Sequence, residues 1–272
     1  MNSTLTRWAL RHAAYLQSAV VLGTALGLLG AWQGHGPLRA NLFALVAVPM
    51  ALLLLLRLWT AWQRDRVIRE APLPQLLKRK LREHYPELSG KDAELVERGL
   101  RQFFLACHRS KRRWVAMPSQ SVDVMWHAFI LHTVAYQRWC QLALGHFVHH
   151  TPAEALGHKA DRNDGLRRAW FWACRDEAIN PKAPTRLPLL FALDAKLGIP
   201  GGFNYEPDCR DIRRKSDQNG DGSASYCGGS FSDGSASGDS DGMGGSDTSG
   251  SADGDGGSDG GGDGGGGGGG GD

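Results

Sequence analysis

Two long apolar runs open the chain, and an amphipathic pattern replaces them further on. Residues 13–32 carry no charged side chain, and twenty helical residues span about 30 Å, the thickness of the hydrocarbon core of a bilayer. Residues 42–56 are also uncharged, and RLWTAW extends this run with tryptophans that suit the membrane interface. The pattern predicts a hairpin of two transmembrane helices, residues 13–32 and 42–62, with a kink at Pro49.

Two other interpretations fit this sequence pattern. One is a buried core helix, which the length and purity of the runs disfavour. The other is a cleaved signal peptide followed by a single anchor, since Arg7 and Arg11 precede the first run. That run is long for a signal peptide and lacks a clean small-residue cleavage site, so the hairpin is the favoured interpretation.

The distribution of Lys and Arg predicts the orientation of the hairpin. The flank formed by residues 1–12 has two arginines and the connecting loop has only Arg39, whereas many cations follow the second run. Cations collect on the cytoplasmic side, so both termini are expected there, in an integral membrane protein. The basic residues expected at the membrane surface are Arg64, Arg66, Arg69, Lys78, Arg79, Lys80 and Arg82.

Small residues at four-residue steps mark one face of the first run. Ala19, Gly23 and Gly27 would let a second helix approach closely. Packing against the second run of the same chain is favoured over a homodimer through these residues, because the hairpin partner is always present.

Residues 64–215 read as a cytoplasmic helical domain, so the fold class is all-α. Leucines at helical spacing fill the stretch LPQLLKRKLREHY. Ser89 followed by Asp92 has the pattern of a capping box that starts the next helix. Pro118 and Ser119 then break the chain before another helix, which carries VDVMWHAFILHTVAYQRWC.

This last stretch holds the most specific chemistry. Asp123 and His127 are four residues apart, so their side chains can meet on one helix face. In a structural interpretation, Asp123 orients His127 beside Trp126. In the other interpretation, His127 and a histidine of HFVHH bind zinc, and Asp123 or Cys140 is a further ligand. The candidate metal ligands are therefore Asp123, His127, Cys140, His149 and His150. The structural interpretation is favoured, because only one adjacent pair has a defined geometry.

The end of the chain has a different composition. Residues 216–272 are mainly Gly, Ser and Asp and should be disordered. They contain eleven aspartates and no Lys, Arg or Glu, so the rest of the chain has an excess of fourteen positive charges. Asp217 begins a pattern like a calcium-binding loop, but Gly228 stands where such a loop needs glutamate. The five cysteines form no C-x-x-C pair, which is typical of a reducing compartment.

The motif MPSQSVDVMWHAFILHTVAYQRWC, followed by GHFVHHTP, resembles the glycine-rich domain-containing protein-like family of plants and bacteria. The resemblance covers about residues 90–205 and implies a helical domain whose activity is largely undefined. A histidine of the family pattern falls on Phe129 here, which lowers the expectation of a metal. The structural residues of the motif include Trp126, Leu131 and Tyr136. The matching positions are Pro118, Ser119, Val122, Asp123, Trp126, His127, Leu131, Tyr136, Cys140, Gly145, His149, His150 and Pro152.

No complete catalytic set can be assembled from the sequence. The favoured function is therefore a noncatalytic interaction or scaffold module, anchored in a bacterial inner (plasma) membrane, that binds the lipid bilayer and an unidentified protein. The alternative is a zinc-binding protein or metallo-hydrolase that uses Asp123 and His127 with His149 and His150. A third function, nucleic-acid binding through the basic cluster HRSKRRW, is disfavoured because the chain has no recognised RNA-binding motif.

Overall fold

A computed structural model of the chain describes residues 4–32, 42–151, 159–207 and 225–227. Within these residues the structure is all-α apart from one short strand pair, as the sequence predicts. The helices are α1 Thr4–Arg11, α2 Ala13–Trp32, α3 Leu42–Glu70, α4 Leu76–His84, α5 Gly90–Arg109, α6 Gln120–Leu131, α7 Thr133–Ala143, α8 Lys159–Asp176 and α9 Leu189–Leu197. The strands are β1 Asn204–Glu206 and β2 Ser225–Cys227.

Helices α2 and α3 correspond to the two apolar runs. They pack against each other, and both are long and apolar enough to cross a membrane. Only 6% of the most apolar window of each helix is buried, which is the opposite of a core helix in a globular domain. α3 continues well past the predicted end of the span at residue 62 and includes Pro49 without interruption.

The small-residue face of α2 is used in part within the chain. A Cβ at Gly27 would lie 3.0 Å from Cδ1 of Leu45 on α3, so Gly27 permits the close approach of the two helices. Gly23 has open space around it, and Ala19 is exposed. Gly27 therefore has the packing role that was favoured over homodimerisation.

Helix α5 lies at the centre of the helical domain. Ser89 and Asp92 form the predicted capping box at its start. Its buried residues include Val96, Leu100 and Phe103, and it packs against α3, α4, α6, α8 and α9. Arg109, at its last turn, pairs with Asp65 of α3 at 2.6 Å, so α5 is attached to the helix that leaves the apolar hairpin.

The predicted single helix through Val122 and Cys140 is two helices. The chain breaks at His132, whose φ of −85° and ψ of 57° are not helical. In a continuous helix, Phe129 and Tyr136 would lie about 10 Å apart along the axis. Their ring centroids are 5.1 Å apart, because α7 folds back against α6. Leu131, predicted as a structural residue of the motif, is 82% exposed at this break.

A strand pair lies beyond α9. β1 and β2 are parallel, with Tyr205 opposite Tyr226. β2 falls inside the segment 216–272 that was predicted to be disordered, so the prediction is wrong for these three residues. An aromatic residue with high strand propensity and the free edge of β1 account for the pairing. The remainder of the predicted tail, including the calcium-loop pattern, lies outside the described residues.

Most of the basic residues expected at the membrane surface have partners within the protein. Arg66 pairs with Glu70, Arg69 with Asp176 and Lys78 with Glu97. Arg79 and Lys80 both pair with Glu83, and Arg64 packs against Gly145. Arg82 is exposed. The exposed pairs among these add little stability, but all of the pairs reduce the positive charge available to lipid.

Candidate metal centre

Three of the five predicted ligands converge at one point. Asp123 and His127 lie on consecutive turns of α6, and His150 reaches them from the loop after α7. One ligand atom from each residue lies within 4.8 Å of the other two. Among the described residues, this is the group of His, Cys, Asp and Glu side chains with the geometry to hold a metal ion.

The distances within the group suit a small divalent cation. Nδ1 of His127 lies 3.1 Å from Oδ2 of Asp123, and Nε2 of His150 lies 3.3 Å from Oδ1 of the same carboxylate. Two ligands of a tetrahedral zinc ion, each about 2.1 Å from the metal, are separated by about 3.4 Å. The same distances also suit hydrogen bonds from imidazole N–H groups to the carboxylate. Geometry thus permits both interpretations that the sequence raised.

The group is open on one side. The side chains of Asp123 and His150 are about a quarter exposed, and that of His127 is 48% exposed. Structural zinc sites are usually closed by four protein ligands, whereas catalytic sites keep a position for water. An ion held by these three residues would therefore retain at least one coordination position for water or another ligand.

The other two predicted ligands lie elsewhere. Cys140 is completely buried in the core, and burial raises the pKa of its thiol, which disfavours the thiolate that metals bind. His149 is exposed, and its ring contacts Phe147 at a centroid distance of 4.7 Å. His150 therefore joins the ligand group and its neighbour His149 does not. Side chains of adjacent residues in extended backbone point in opposite directions.

A buried hydrogen-bond chain holds the loop that carries His150. Trp126 Nε1 donates to the Tyr136 hydroxyl at 3.1 Å, and this hydroxyl donates to the carbonyl of Val148 at 2.6 Å. The Val148 backbone also contacts the Cys140 thiol. On the far side, the Trp126 ring packs against His150 at a centroid distance of 4.9 Å. Trp126, Tyr136 and Cys140 therefore position the loop, and the break at His132 makes this arrangement possible.

A buried carboxylate holds the helix that carries Asp123 and His127. Asp194 of α9 is 2% exposed and accepts hydrogen bonds from the backbone N–H of Gln120 at 2.7 Å and of Ser121 at 3.2 Å. The hydroxyls of Ser119 and Ser121 donate to it at 2.7 and 2.8 Å, and Phe203 N–H donates at 3.2 Å. A negative charge here also complements the positive end of the α6 dipole.

Sequence reasoning missed Asp194. Its only local signal is one acidic residue after the apolar stretch PLLFAL. A charged side chain in a buried helix usually has a specific partner, so this residue could have been singled out. Tyr85 was not singled out either: burial first, and then the charges of Asp194 and Asp123, raise the pKa of its hydroxyl.

Comparison with known proteins gives one family. No curated protein and no solved structure matches the chain. A family model described as UCP032817-like matches residues 63–231, which include the helical domain, the ligand group and both strands. The match covers more than half of the sequence, so the chain belongs to the UCP032817-like family.

Proposed function

We propose that this protein binds a divalent transition-metal ion through Asp123, His127 and His150, and that zinc is the ion that the site fits best. The observation that carries the proposal is the arrival of His150, from a separate loop, beside a carboxylate–histidine pair on α6. Asp123 and His127 alone need no explanation beyond a contact between neighbouring turns. A third ligand, 27 residues beyond Asp123 along the chain and held by a buried network, supports a dedicated site.

The exposure of the three side chains supports an open site. A water bound to zinc at such a position ionises near neutral pH and can act as a nucleophile. Metal-dependent hydrolysis is therefore the chemistry to test once a metal is found. The noncatalytic interaction module stays a prediction, and it was favoured when no ligand from outside α6 could be placed.

The proposal includes the position of the site relative to a membrane. The length and exposure of α2 and α3 support a transmembrane hairpin, and the cations that follow it support a cytoplasmic domain with both termini inside. The resemblance to bacterial glycine-rich domain-containing proteins favours the bacterial inner membrane. The site would then face the cytoplasm, close to the bilayer.

Elemental mass spectrometry of the full-length chain in detergent tests the metal. We expect about one zinc ion per chain in the wild type, and loss of zinc in His150→Ala and His127→Ala. The matched control is His149→Ala, which removes the neighbouring exposed histidine and should keep the metal. Iron in place of zinc would retain the site and change the ion, since two histidines and one carboxylate also bind iron(II).

Two results would refute the proposed metal site. Wild-type protein without metal after incubation with zinc and gel filtration would leave the three residues as a hydrogen-bonded cluster. Equal zinc content in the wild type and in His150→Ala would place the metal elsewhere. Circular dichroism of each variant distinguishes loss of a ligand from loss of the fold.

A further inference from the structure

A cationic cleft lies in a different part of the domain from the ligand group. It has a volume of about 600 Å³ and is formed by the end of α3, one face of α5, the end of α8, the segment leading into α9 and α9 itself. None of its lining residues belongs to α6 or to the loop that carries His150. The lining consists of Arg69, Leu95, Arg98, Arg101, Gln102, Leu105, Asp176, Glu177, Arg186, Leu187, Leu189, Ala192 and Lys196.

The two carboxylates of the cleft are already engaged by the protein. Glu177 accepts hydrogen bonds from Leu189 N–H at 2.5 Å and from Gln102 Nε2 at 3.0 Å, and it pairs with Arg186. Asp176 pairs with Arg69 and lies 3.6 Å from the guanidinium of Arg109. Both acids are therefore occupied by partners within the protein.

The positive charge of the cleft is only partly engaged. Five lining residues are cationic and two are acidic, which leaves an excess of three positive charges. Arg101 pairs with Glu97 at 2.6 Å and is largely buried. Arg98 and Lys196 are exposed, and in the part of the chain that is described their side chains form no ion pair or hydrogen bond. Two cations are thus available to an external anion.

Helix packing places these two cations on facing helices. Arg98 precedes Gly99, where a Cβ would lie 2.3 Å from Cδ1 of Leu193, so α5 and α9 are in close contact at this level. Lys196 follows Leu193 by nearly one turn of α9. Leucines of α5 and of the segment around the start of α9 also line the cleft and contribute apolar surface. Arginine binds phosphate through two parallel hydrogen bonds, and lysine contributes a point charge.

We propose that this cleft binds a phosphate-bearing ligand with an apolar part, and that Arg98 and Lys196 contact the phosphate. Its volume is in the range of small-molecule sites. A phosphorylated metabolite and the headgroup of an anionic lipid share this chemistry. The proposal is independent of the metal site, because the two share no residue.

Native mass spectrometry and calorimetry of the full-length chain in nonionic detergent test the cleft. The soluble probes are phenyl phosphate and inorganic phosphate, and the lipid probe is short-chain phosphatidic acid with phosphatidylcholine as the neutral comparison. We expect saturable binding of one ligand and weaker binding of inorganic phosphate, which has no apolar group. Saturation by phenyl phosphate would indicate a soluble ligand, and saturation by phosphatidic acid alone would indicate a lipid.

The variant R98Q/K196Q should weaken binding about tenfold or more, because it removes both cations that we propose contact the phosphate. The matched control is R82Q/R113Q, which removes two exposed cations outside the cleft. Equal weakening in both variants would mean that general electrostatic attraction, not the cleft, binds the anion. Absence of saturable binding by every probe would also overturn the proposal.

Discussion

Replacing Asp194 by asparagine changes one atom of a buried group that holds the start of α6, the helix that carries Asp123 and His127. The two side chains have nearly the same shape, so the substitution changes hydrogen bonding and charge without creating a cavity. Oδ2 of Asp194 accepts two backbone N–H groups, from Gln120 and Phe203, which cannot turn away. Oδ1 accepts Ser121 N–H and the hydroxyls of Ser119 and Ser121. The amide nitrogen should therefore occupy the Oδ1 position, where both hydroxyls can reverse and accept.

The expected cost follows from what remains unpaired. Ser121 N–H, which is buried, loses its acceptor, and such a loss destabilises a protein by about 1–3 kcal/mol. The loss of a negative charge at the first turn of α6 adds about 1 kcal/mol. Together the free energy of unfolding should fall by about 2–4 kcal/mol, which lowers the melting temperature of a domain of this size by about 5–15 °C.

Thermal unfolding of the full-length chain in detergent, followed by circular dichroism, measures this shift. The matched control is Asp164→Asn, which makes the same chemical change in a carboxylate that is 56% exposed and lies 3.7 and 3.9 Å from two arginines. Its melting temperature should stay close to that of the wild type. Similar melting temperatures for Asp194→Asn and the wild type would refute the reasoning, since the buried N–H groups would then have found other acceptors.

Two further predictions concern the loop and the core. Tyr136→Phe leaves Trp126 Nε1 without an acceptor and Val148 O without the Tyr136 donor. The affinity of the proposed site for zinc should then fall about 10–100-fold, because the loop that carries His150 is less well held while His127 stays in place. Unchanged affinity in a competition titration with a chelator would contradict this positioning role. Burial lowers the pKa of His108 below its usual 6.5, so the folded state resists protonation and the unfolded chain does not. The free energy of unfolding should therefore fall as the pH drops below about 6.5. In chemical denaturation at several pH values, His108→Gln should reduce the slope of this free energy against pH. Equal slopes for the variant and the wild type would show that other groups cause the pH dependence.

The sequence was sufficient to predict those features that are determined by residues close together along the chain. The capping box at Ser89 and the contact between Asp123 and His127 are each set within one helical turn, and the structure contains both. The two apolar helices follow from length and composition alone. Where a short segment determines the geometry, the periodicity of the sequence was sufficient.

The ligand group depends on contacts that no local pattern encodes. The periodicity of VDVMWHAFILHTVAYQRWC continues through His132, so a single helix was expected across the break. Burial of Tyr136 against Phe129 outweighs that local preference, and the same hydroxyl then fixes Val148 and the loop beyond it. To predict that His150, and not His149, joins Asp123 and His127, one must know the direction of each side chain in that loop. Asp194 is a further case, because its partners lie more than 70 residues away.

Helix α3 has a mechanical consequence for the loop that carries His150. It is one helix from Leu42 to Glu70, and the guanidinium of Arg64 fills the space beside Gly145, where φ is 76° and the loop begins. The distance along the helix from Pro49 to Arg64 is about 22 Å. A tilt of about 5° at the proline, carried along this lever arm, displaces Arg64 by about 2 Å, which is the length of a bond between zinc and nitrogen. If the hairpin crosses a bilayer, as proposed, a change in bilayer thickness or lateral pressure that tilts α3 would displace Arg64 and therefore Gly145, five residues before His150.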